Sequence, residues 1–578
     1  MTEEPKRLLS FPPFAVGLRD SLREGYSFSD FKQDVLAGLT IGTVAVPLSM
    51  ALAIATGVPP EYGLYTAMIA GAIIALTGGS RFNISGPTAA FVVILFPIVN
   101  DYGIGGLLLS TLMAGIILIL FGLTRLGLLI RYVPYPVVLG FTAGIAIIIA
   151  VLQIPDFLGL RTSKLGDDFI NNFINIVTSL STINVYELIV GLSTLAILLI
   201  WPKLKLPLPA PLVGLVLGGI IAYGINSTVN GADIHTIASR FSWKAHGMQG
   251  TGIPPIPPSF LLPWQLPGGN GQPLHLDFHL IHNLIGPAFA IATLGAIESL
   301  LCAVIADELT MTKHNPNSEL IGQGLGNLIA PFFGGITATA AIARTATNIR
   351  SGAKSPVAAL IHSIFVLLTI LFFANLLGYV PTASLGALLF IVAWNMSEAK
   401  HCFYVLRTSP KSDVAILIVC FGLTVIFDMV VAVGVGIALS AALFIRNMTD
   451  VSKTRPIKTH PEIKGLEKDV AIFDMDGPLF FGATEKLLGL IKSHIATAKK
   501  ICIIDVQDIL SIDATAIAGL KSLQTQLYKN NQSLIFVGAS PQLLLTLKKA
   551  GMTDEQKKLA FCKNFYEVNE LAQQWLAS

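Results

Sequence analysis

A polytopic α-helical membrane domain of fourteen spans, followed by a small cytoplasmic α/β domain, is the fold class this sequence predicts. Three observations carry the prediction. The 578 residues are 53% hydrophobic and only 13% charged, against roughly 25% charged for a soluble chain. Charge is also stepped along the chain: 29 of the 73 Lys, Arg, Asp and Glu lie in residues 451–578, about 23% of that segment against about 10% of the first 450 residues. Apolar runs of membrane-spanning length fill the first part and stop before the second. The net charge of +3 is too small and dispersed to point to nucleic acid.

Residues 1–32 are polar and mixed in charge, with no cleavable signal pattern, and read as a cytoplasmic amino-terminal segment. A spanning helix needs about 20 apolar residues. Full-length candidates begin near Val35, Gly105, Tyr132, Tyr186, His282, Pro356, Asp413 and Met429. Shorter apolar pieces lie at Gly63–Leu76, Pro87–Val99, Ala210–Tyr223, Ile321–Phe333, Thr339–Asn348 and Ala383–Trp394. Together they number fourteen, an even count that returns the tail to the side where the chain starts. Under this topology twenty Lys and Arg fall on the cytoplasmic side and four outside, namely Arg161, Lys164, Arg240 and Lys244, as the positive-inside rule requires. The transport domain is placed at 33–449, with one half at about 33–225 and the other at about 280–449. Of the two long outer loops, 153–184 and 226–280, the second is rich in Pro and Gly and reads as a stiff solvated spacer.

The short spans locate the chemistry, because a helix too short to cross leaves unpaired N–H groups deep in the membrane, where they must line a cavity or a ligand. Two segments stand out: Gly78-Gly79 to Ala90, with Ser85-Gly86-Pro87-Thr88 at its centre, and Gly334-Gly335 to Thr345. Pro87 suits the first position of a helix. The segments are the third and tenth spans, which correspond if two seven-span halves are related by inversion, as in transporters whose half-helices meet at the midplane. Two facing helix amino termini make an anion site; the bland alternative is that the small residues only permit close packing. Arg344 lies inside the second short helix, and a central Arg costs roughly 3 kcal/mol on insertion scales. Glu298 is the candidate to compensate it, either as a proton carrier for symport or as one half of a structural ion pair. Asp307, Glu308 and Asp428 lie at predicted helix ends and read as solvated.

The segment 450–465 reads as a linker, and 466–578 alternates strands with helices: Val470–Phe473, Leu479–Phe481, a helix from Ala483, Ile501–Asp505, a helix over Ala514–Leu527, Leu534–Val537, and helices near Pro541 and Phe565. This argues for a small α/β domain without a phosphate loop or a nucleophile elbow. The five cysteines are scattered and read as buried small residues. Neither they nor the histidines show metal-ligand spacing. No catalytic constellation is present, so the chain is read as a non-enzyme with no metal or cofactor.

Pro47-Leu48-Ser49-Met50-Ala51-Leu52-Ala53, Gly57-Val58-Pro59-Pro60-Glu61-Tyr62-Gly63-Leu64-Tyr65, the Ser85-Gly86-Pro87 break and Ala341-Ile342-Ala343-Arg344-Thr345 resemble the sulfate permease (SulP) family of anion transporters. Ile512-Asp513-Ala514-Thr515-Ala516-Ile517-Ala518-Gly519-Leu520 resembles its STAS domain. The resemblance implies two inverted seven-span repeats divided into core and gate, a homodimer, and an elevator-like movement of the core. It also implies a substrate cavity lined by Leu48, Leu52, Ser85, Thr88, Ala343, Arg344 and Thr345, with Glu298 for proton coupling. In the STAS segment Ala514 replaces the phosphorylatable Ser of relatives, leaving Asp513 and Thr515 as regulatory candidates, with helix capping as the alternative role of Asp513.

Many inorganic-anion members of the family carry Gln and an aromatic where this chain has Leu48 and Leu52, which suits a larger, partly apolar anion. Gly295 to Cys302, Asn317-Ser318-Glu319-Leu320 and Ala393 to Ala399 most resemble the members that carry C4-dicarboxylic acids. The expected function is therefore proton-coupled uptake of succinate, fumarate or aspartate across a bacterial inner membrane, with both termini cytoplasmic and a possible cytoplasmic partner for the STAS domain. Alternatives are a sulfate or bicarbonate transporter of the same fold, an anion channel, or an anion sensor that signals through the tail.

Overall fold

The computed structural model describes residues 14–577 except 128–132, 164–165, 167–168, 205, 207, 246, 270, 428, 452, 458–459, 464, 467, 478, 480–483, 485–488, 492–498 and 510. It divides into two compact units, Met1–Ile437 and Ala438–Ser578.

In the first unit α1 (Val16–Arg23) precedes α2 (Phe28–Ala55). A capping box starts α2: Ser27 Oγ accepts from the Asp30 N–H, and the Asp30 carboxylate accepts from the Ser27 N–H, so two otherwise orphaned donors are met. Next come α3 (Pro60–Tyr65), a π-helical turn (Thr66–Ala70) and α4 (Gly71–Thr77). After β1 (Ser85–Gly86), α5 (Ala89–Leu123) runs 35 residues with a break at Gly103, so the third and fourth apolar pieces form one interrupted helix. The chain continues through α6 (Tyr135–Leu158), α7 (Phe169–Thr178), α8 (Val185–Ile200), α9 (Ala210–Thr228), α10 (Ile237–Arg240) and the hairpin β2 (Ser242–Ala245) and β3 (Met248–Thr251). The second half holds α11 (Phe278–Thr310), α12 (Pro316–Ile329), β4 (Thr339–Ala340), α13 (Ile342–Arg350), α14 (Val357–Leu377), α15 (Thr382–Met396), α16 (Ala399–Thr408), α17 (Lys411–Ile426) and α18 (Met429–Val451). Each apolar piece read from the sequence coincides with a helical segment. Among the described residues eight helices are long and apolar enough to cross a membrane.

The helices pack in two groups. In one, α5 lies against α11 and α12, α2 against α14, and α13 against α11 and α2; in the other, α6 lies against α15 and α17, and α8 against α9 and α15. The long loop between α9 and α11 joins them; most of it is exposed, as expected of a solvated spacer, but it is attached at two places. Its first part bonds to the turn into α15, through Ile237 N–H to the Val380 carbonyl and Thr382 N–H to the His235 carbonyl. Its second part reaches the first group: Leu261 N–H donates to the Phe332 carbonyl, Gly105 N–H donates to the Pro267 carbonyl, and Phe260 stacks on Phe332. Ile253 and Pro254, between the two attachments, are buried.

The second unit carries a five-stranded sheet in the order β5 (Lys453–Ile457), β6 (Val470–Asp476), β7 (Ile501–Asp508), β8 (Ser533–Val537), β9 (Leu559–Cys562). β5 is antiparallel to β6, and the remaining neighbours are parallel. The segment expected as a linker therefore supplies an edge strand; edge position is what allows Pro456 within it. Helices α19 (Ala514–Lys529), α20 (Pro541–Lys549) and α21 (Phe565–Ala577) complete the unit, with buried apolar clusters on both faces of the sheet. Of the strand expected at Leu479–Phe481 only Leu479 is described, bridged to Ile512, and of the helix expected from Ala483 only Thr484 and Gly489–Ile491 are described, as helical; the rest lies outside the described residues.

Candidate functional site

The two breaks found in the sequence meet in space. β1 and β4 pair antiparallel, Ser85 opposite Ala340 and Gly86 opposite Thr339, and the Ala341 N–H extends the pairing to the Ile84 carbonyl at 3.1 Å. α5 and α13 start beside this short ladder. Extended pairing keeps the chain non-helical as far as Thr88 (φ −126°, ψ 155°), which is the residue before α5. Pro87 is thus outside the helix rather than at its first position, and its carbonyl accepts from Arg344 Nη2 at 2.9 Å.

Arg344 is the cationic centre. It is 2% exposed and is the one Lys or Arg buried among the described residues. Its Nε and Nη1 have no hydrogen-bond partner. It sits in the first turn of α13, where its charge opposes the helix dipole instead of balancing it. Gly86 makes room for the guanidinium, because a Cβ at that position would stand 2.7 Å from Nη1. Thr88 Oγ1 donates to Glu298 Oε2 at 3.1 Å, and Glu298 forms no ion pair with Arg344 within 4 Å. The compensation expected from Glu298 is therefore at most through space. Thr345 faces inward: its Oγ1 accepts from the Ile84 N–H at 3.0 Å and from the Cys302 thiol at 3.1 Å. Ala343 is exposed beside Arg344. Leu48 is half-buried on α2, while Leu52 is 1% exposed within the packing. Ser85, Thr88, Glu298, Arg344 and Thr345 come together at this break, and the helix that carries Leu48 and Leu52 packs against α13.

Several residues of this core escaped the sequence reading. Glu319, 1% exposed, accepts from the N–H groups of Gly79 and Ser80, both 2.9 Å, and from Asn83 Nδ2 at 2.8 Å, Ser299 Oγ at 2.9 Å and Gln323 Nε2 at 3.1 Å. Gln323 Nε2 also donates to Ser85 Oγ at 3.0 Å. In the sequence Glu319 is met only as part of the Asn317-Ser318-Glu319-Leu320 motif, which gives neither it nor Gln323 a role. Asp34, fully buried, is met by the Tyr26 hydroxyl, the N–H groups of Lys354 and Ser355 and the Ser355 hydroxyl. Asp307, expected to be solvated, accepts from the N–H of buried His314 and faces its Nδ1 at 2.7 Å; Asp428 lies outside the described residues. A cavity of about 1550 Å³ opens between the helix groups, lined by Gly57, Phe96, Gln153, Arg161, Glu187 and His235 among others, and does not include Arg344. It lies at the end of the unit that carries the long loops. Among the described residues no group of His, Cys, Asp and Glu could hold a metal ion.

In the second unit Asp513 Oδ1 accepts from the Ala516 N–H at 2.7 Å and caps α19, and Thr515 is exposed beside it. Asp474 and Asp505 face each other across β6 and β7; desolvation, and then like charge nearby, raises both carboxyls above the ordinary Asp range.

Such a site can receive an anion: it offers a buried guanidinium with two free nitrogens and two helix starts, and carries an acid at its edge. The Sulfate permease family model matches residues 31–420 and the STAS domain model residues 460–568. The chain is 40% identical over 94% of its length to YvdB of Bacillus subtilis, provisionally named a sulfate transporter, covering 98% of that protein. It is 30% identical over 90% of its length to the bicarbonate transporter BicA of Picosynechococcus, covering 91% of it. The structure of the murine Solute Carrier 26 family member A9 anion transporter in the inward-facing state superposes with a TM-score of 0.81 at 19% identity, covering 99% of this chain and 97% of that one, which shows the shared fold.

Proposed function

We propose, because the chain belongs to the sulfate permease family and is an anion transporter of that family, that it carries a compact oxyanion, sulfate before bicarbonate, across a bacterial plasma membrane by alternating access. The observation that carries this reading is the buried guanidinium of Arg344, with Nε and Nη1 unmet, beside two helix starts. A planar guanidinium edge matches the oxygens of sulfate or of a carboxylate, and the helix starts add two positive dipole ends. The names of the relatives, sulfate and bicarbonate transporters, support the same class. Proton coupling is assigned to Glu298. A proton there would remove the negative charge at the edge of the site, so anion and proton would enter together. The two helix groups supply a core and a gate for an elevator movement; fourteen crossings, cytoplasmic termini and a homodimer complete the proposal.

A second reading, C4-dicarboxylate uptake, is favoured by one observation: Leu48 is half-buried and apolar where an amide would give a compact anion another polar contact. Against it, Arg344 has no second buried Lys or Arg beside it among the described residues, so the other carboxylate would lack a cation of its own.

The test is uptake of labelled sulfate, bicarbonate and succinate into proteoliposomes with and without an inward proton gradient, for the natural chain and for Arg344→Ala. Gradient-dependent accumulation of sulfate or bicarbonate, lost in Arg344→Ala, is the expected result. Accumulation of succinate alone would select the second reading. Flux that never exceeds equilibrium would indicate a channel, binding without flux a sensor, and full activity of Arg344→Ala would remove the site.

A further inference from the structure

We propose that Glu319 is the positioning residue of this site, the fixed carboxylate that holds the Ser85 break and the Glu298 helix in register for the anion. The inference rests on the anion-transport reading above and deepens it. Glu319 touches neither Arg344 nor Glu298; it acts through the groups on either side of them. Oε2 takes the Gly79 and Ser80 N–H groups, which anchor the segment leading into β1. Oε1 takes Asn83 on that same segment, Ser299 on α11 next to Glu298, and Gln323, whose amide nitrogen also holds Ser85. One carboxylate thus fixes two of the elements that carry the site. The approach is close: a Cβ on Gly79 would stand 2.1 Å from the Asn315 carbonyl oxygen and 2.7 Å from the Glu319 nitrogen.

All five partners donate, and an ionised carboxylate offers about four lone-pair sites and no donor. The arrangement therefore suits a group that only accepts. An amide is a poorer partner. Turned one way, the NH2 of a Gln at 319 meets the two backbone N–H groups, which can only donate; turned the other way, Ser299 can accept through its hydroxyl, but Asn83 and Gln323 must invert their amides, and Gln323 then gives up the bond its nitrogen donates to Ser85. The contrast with Glu298, which has a single hydrogen bond from Thr88, separates the roles. One acid is held by the fold, and the other is left free to respond to the substrate.

The experiment measures initial uptake of labelled sulfate, or of labelled succinate if the substrate assay selects it, by full-length protein in proteoliposomes, alongside folded yield and thermal unfolding. For Glu319→Gln the half-saturating anion concentration is expected to rise roughly tenfold, the equivalent of one buried donor left unmet, while the maximal rate per folded molecule stays within about twofold. Glu319→Asp, which keeps the charge, is expected to recover a large part of that affinity. An unchanged half-saturating concentration, with activity lost only in proportion to folded protein, would show a purely structural role and overturn the proposal. If Glu319→Gln does not fold, Ser299→Ala and Gln323→Ala each remove one bond and keep the carboxylate. Rises of about two- to fivefold in half-saturation are then expected, and natural values in both would overturn the proposal. Arg344→Ala, assayed beside them, separates the two ideas: if it transports normally the anion site itself is wrong, whereas normal affinity in the Glu319 series with an inactive Arg344→Ala condemns only the positioning role.

Discussion

At the scale of single residues, the difference between Glu298 and Arg344 decides what the site can do. Arg344 is anchored by one hydrogen bond to the Pro87 carbonyl and keeps two nitrogens unmet, which costs roughly 1–3 kcal/mol for each buried group left unsatisfied. An anion that supplied acceptors there would recover that cost. Glu298 is half-buried and bonded only to Thr88, so a proton can reach and leave it without dismantling a network. Glu298→Gln is expected to abolish proton-driven accumulation while preserving anion exchange, because the amide keeps an acceptor for Thr88 but cannot carry charge. Uptake that still follows the proton gradient in that variant would remove Glu298 as the coupling group. Arg344 and Glu298 were legible in the sequence because ionisable residues in an apolar run are rare. Glu319 and Gln323 were not: their part depends on contacts between residues more than two hundred positions apart, which no periodicity records.

Among the elements, the antiparallel pairing of β1 with β4 sets the site. Each strand is only two residues long, and its strength comes from what surrounds it: the Thr345 hydroxyl on the Ile84 N–H, and Asn348 Nδ2 on the Phe82 carbonyl at 3.0 Å. The guanidinium lies over Gly86. Gly86→Ala would place a methyl 2.7 Å from Arg344 Nη1, and either the arginine or the ladder must move. A loss of roughly tenfold or more in anion affinity is expected from a displacement of that size, with a smaller change in thermal stability; unaltered affinity would mean that the arginine does not occupy this position during transport. The fourteen apolar pieces could be read beforehand because burial in lipid imposes length and composition on a helix. Their pairing could not, since a Gly-Pro or Gly-Gly break signals where a helix stops and says nothing about its neighbour. The same limit explains β5. A short strand containing Pro456 resembles a linker until its partner β6 is known.

For the molecule as a whole, the proposed elevator movement shifts the two helix groups relative to each other, and the loop between α9 and α11 is attached to both. On one side Arg240 pairs with Asp156 of α6, and His235 meets Glu187 of α8. On the other, Phe260 stacks on Phe332 with centroids 5.7 Å apart, and Pro267 accepts from Gly105. Between the attachments run Ile253-Pro254-Pro255-Ile256-Pro257-Pro258-Ser259. The segment bends at Ile253 and at Pro255–Ile256, and its four prolines fix φ at each of their positions, so it behaves as a semi-rigid spacer and not as slack chain. In that movement a spacer of this kind would limit how far the groups separate on that face and would transmit movement from one to the other. It does not touch Arg344, so it acts on rate and not on recognition. Replacing Pro254, Pro255, Pro257 and Pro258 together by Gly is therefore expected to lower the maximal transport rate several-fold while the half-saturating anion concentration holds within about twofold. Replacing the four prolines by Ala instead of Gly should recover the rate only in part, because Ala leaves φ unfixed where Pro locks it. A quadruple variant with the natural rate would mean that this loop follows the motion passively and that the coupling between the groups lies wholly in their helix contacts.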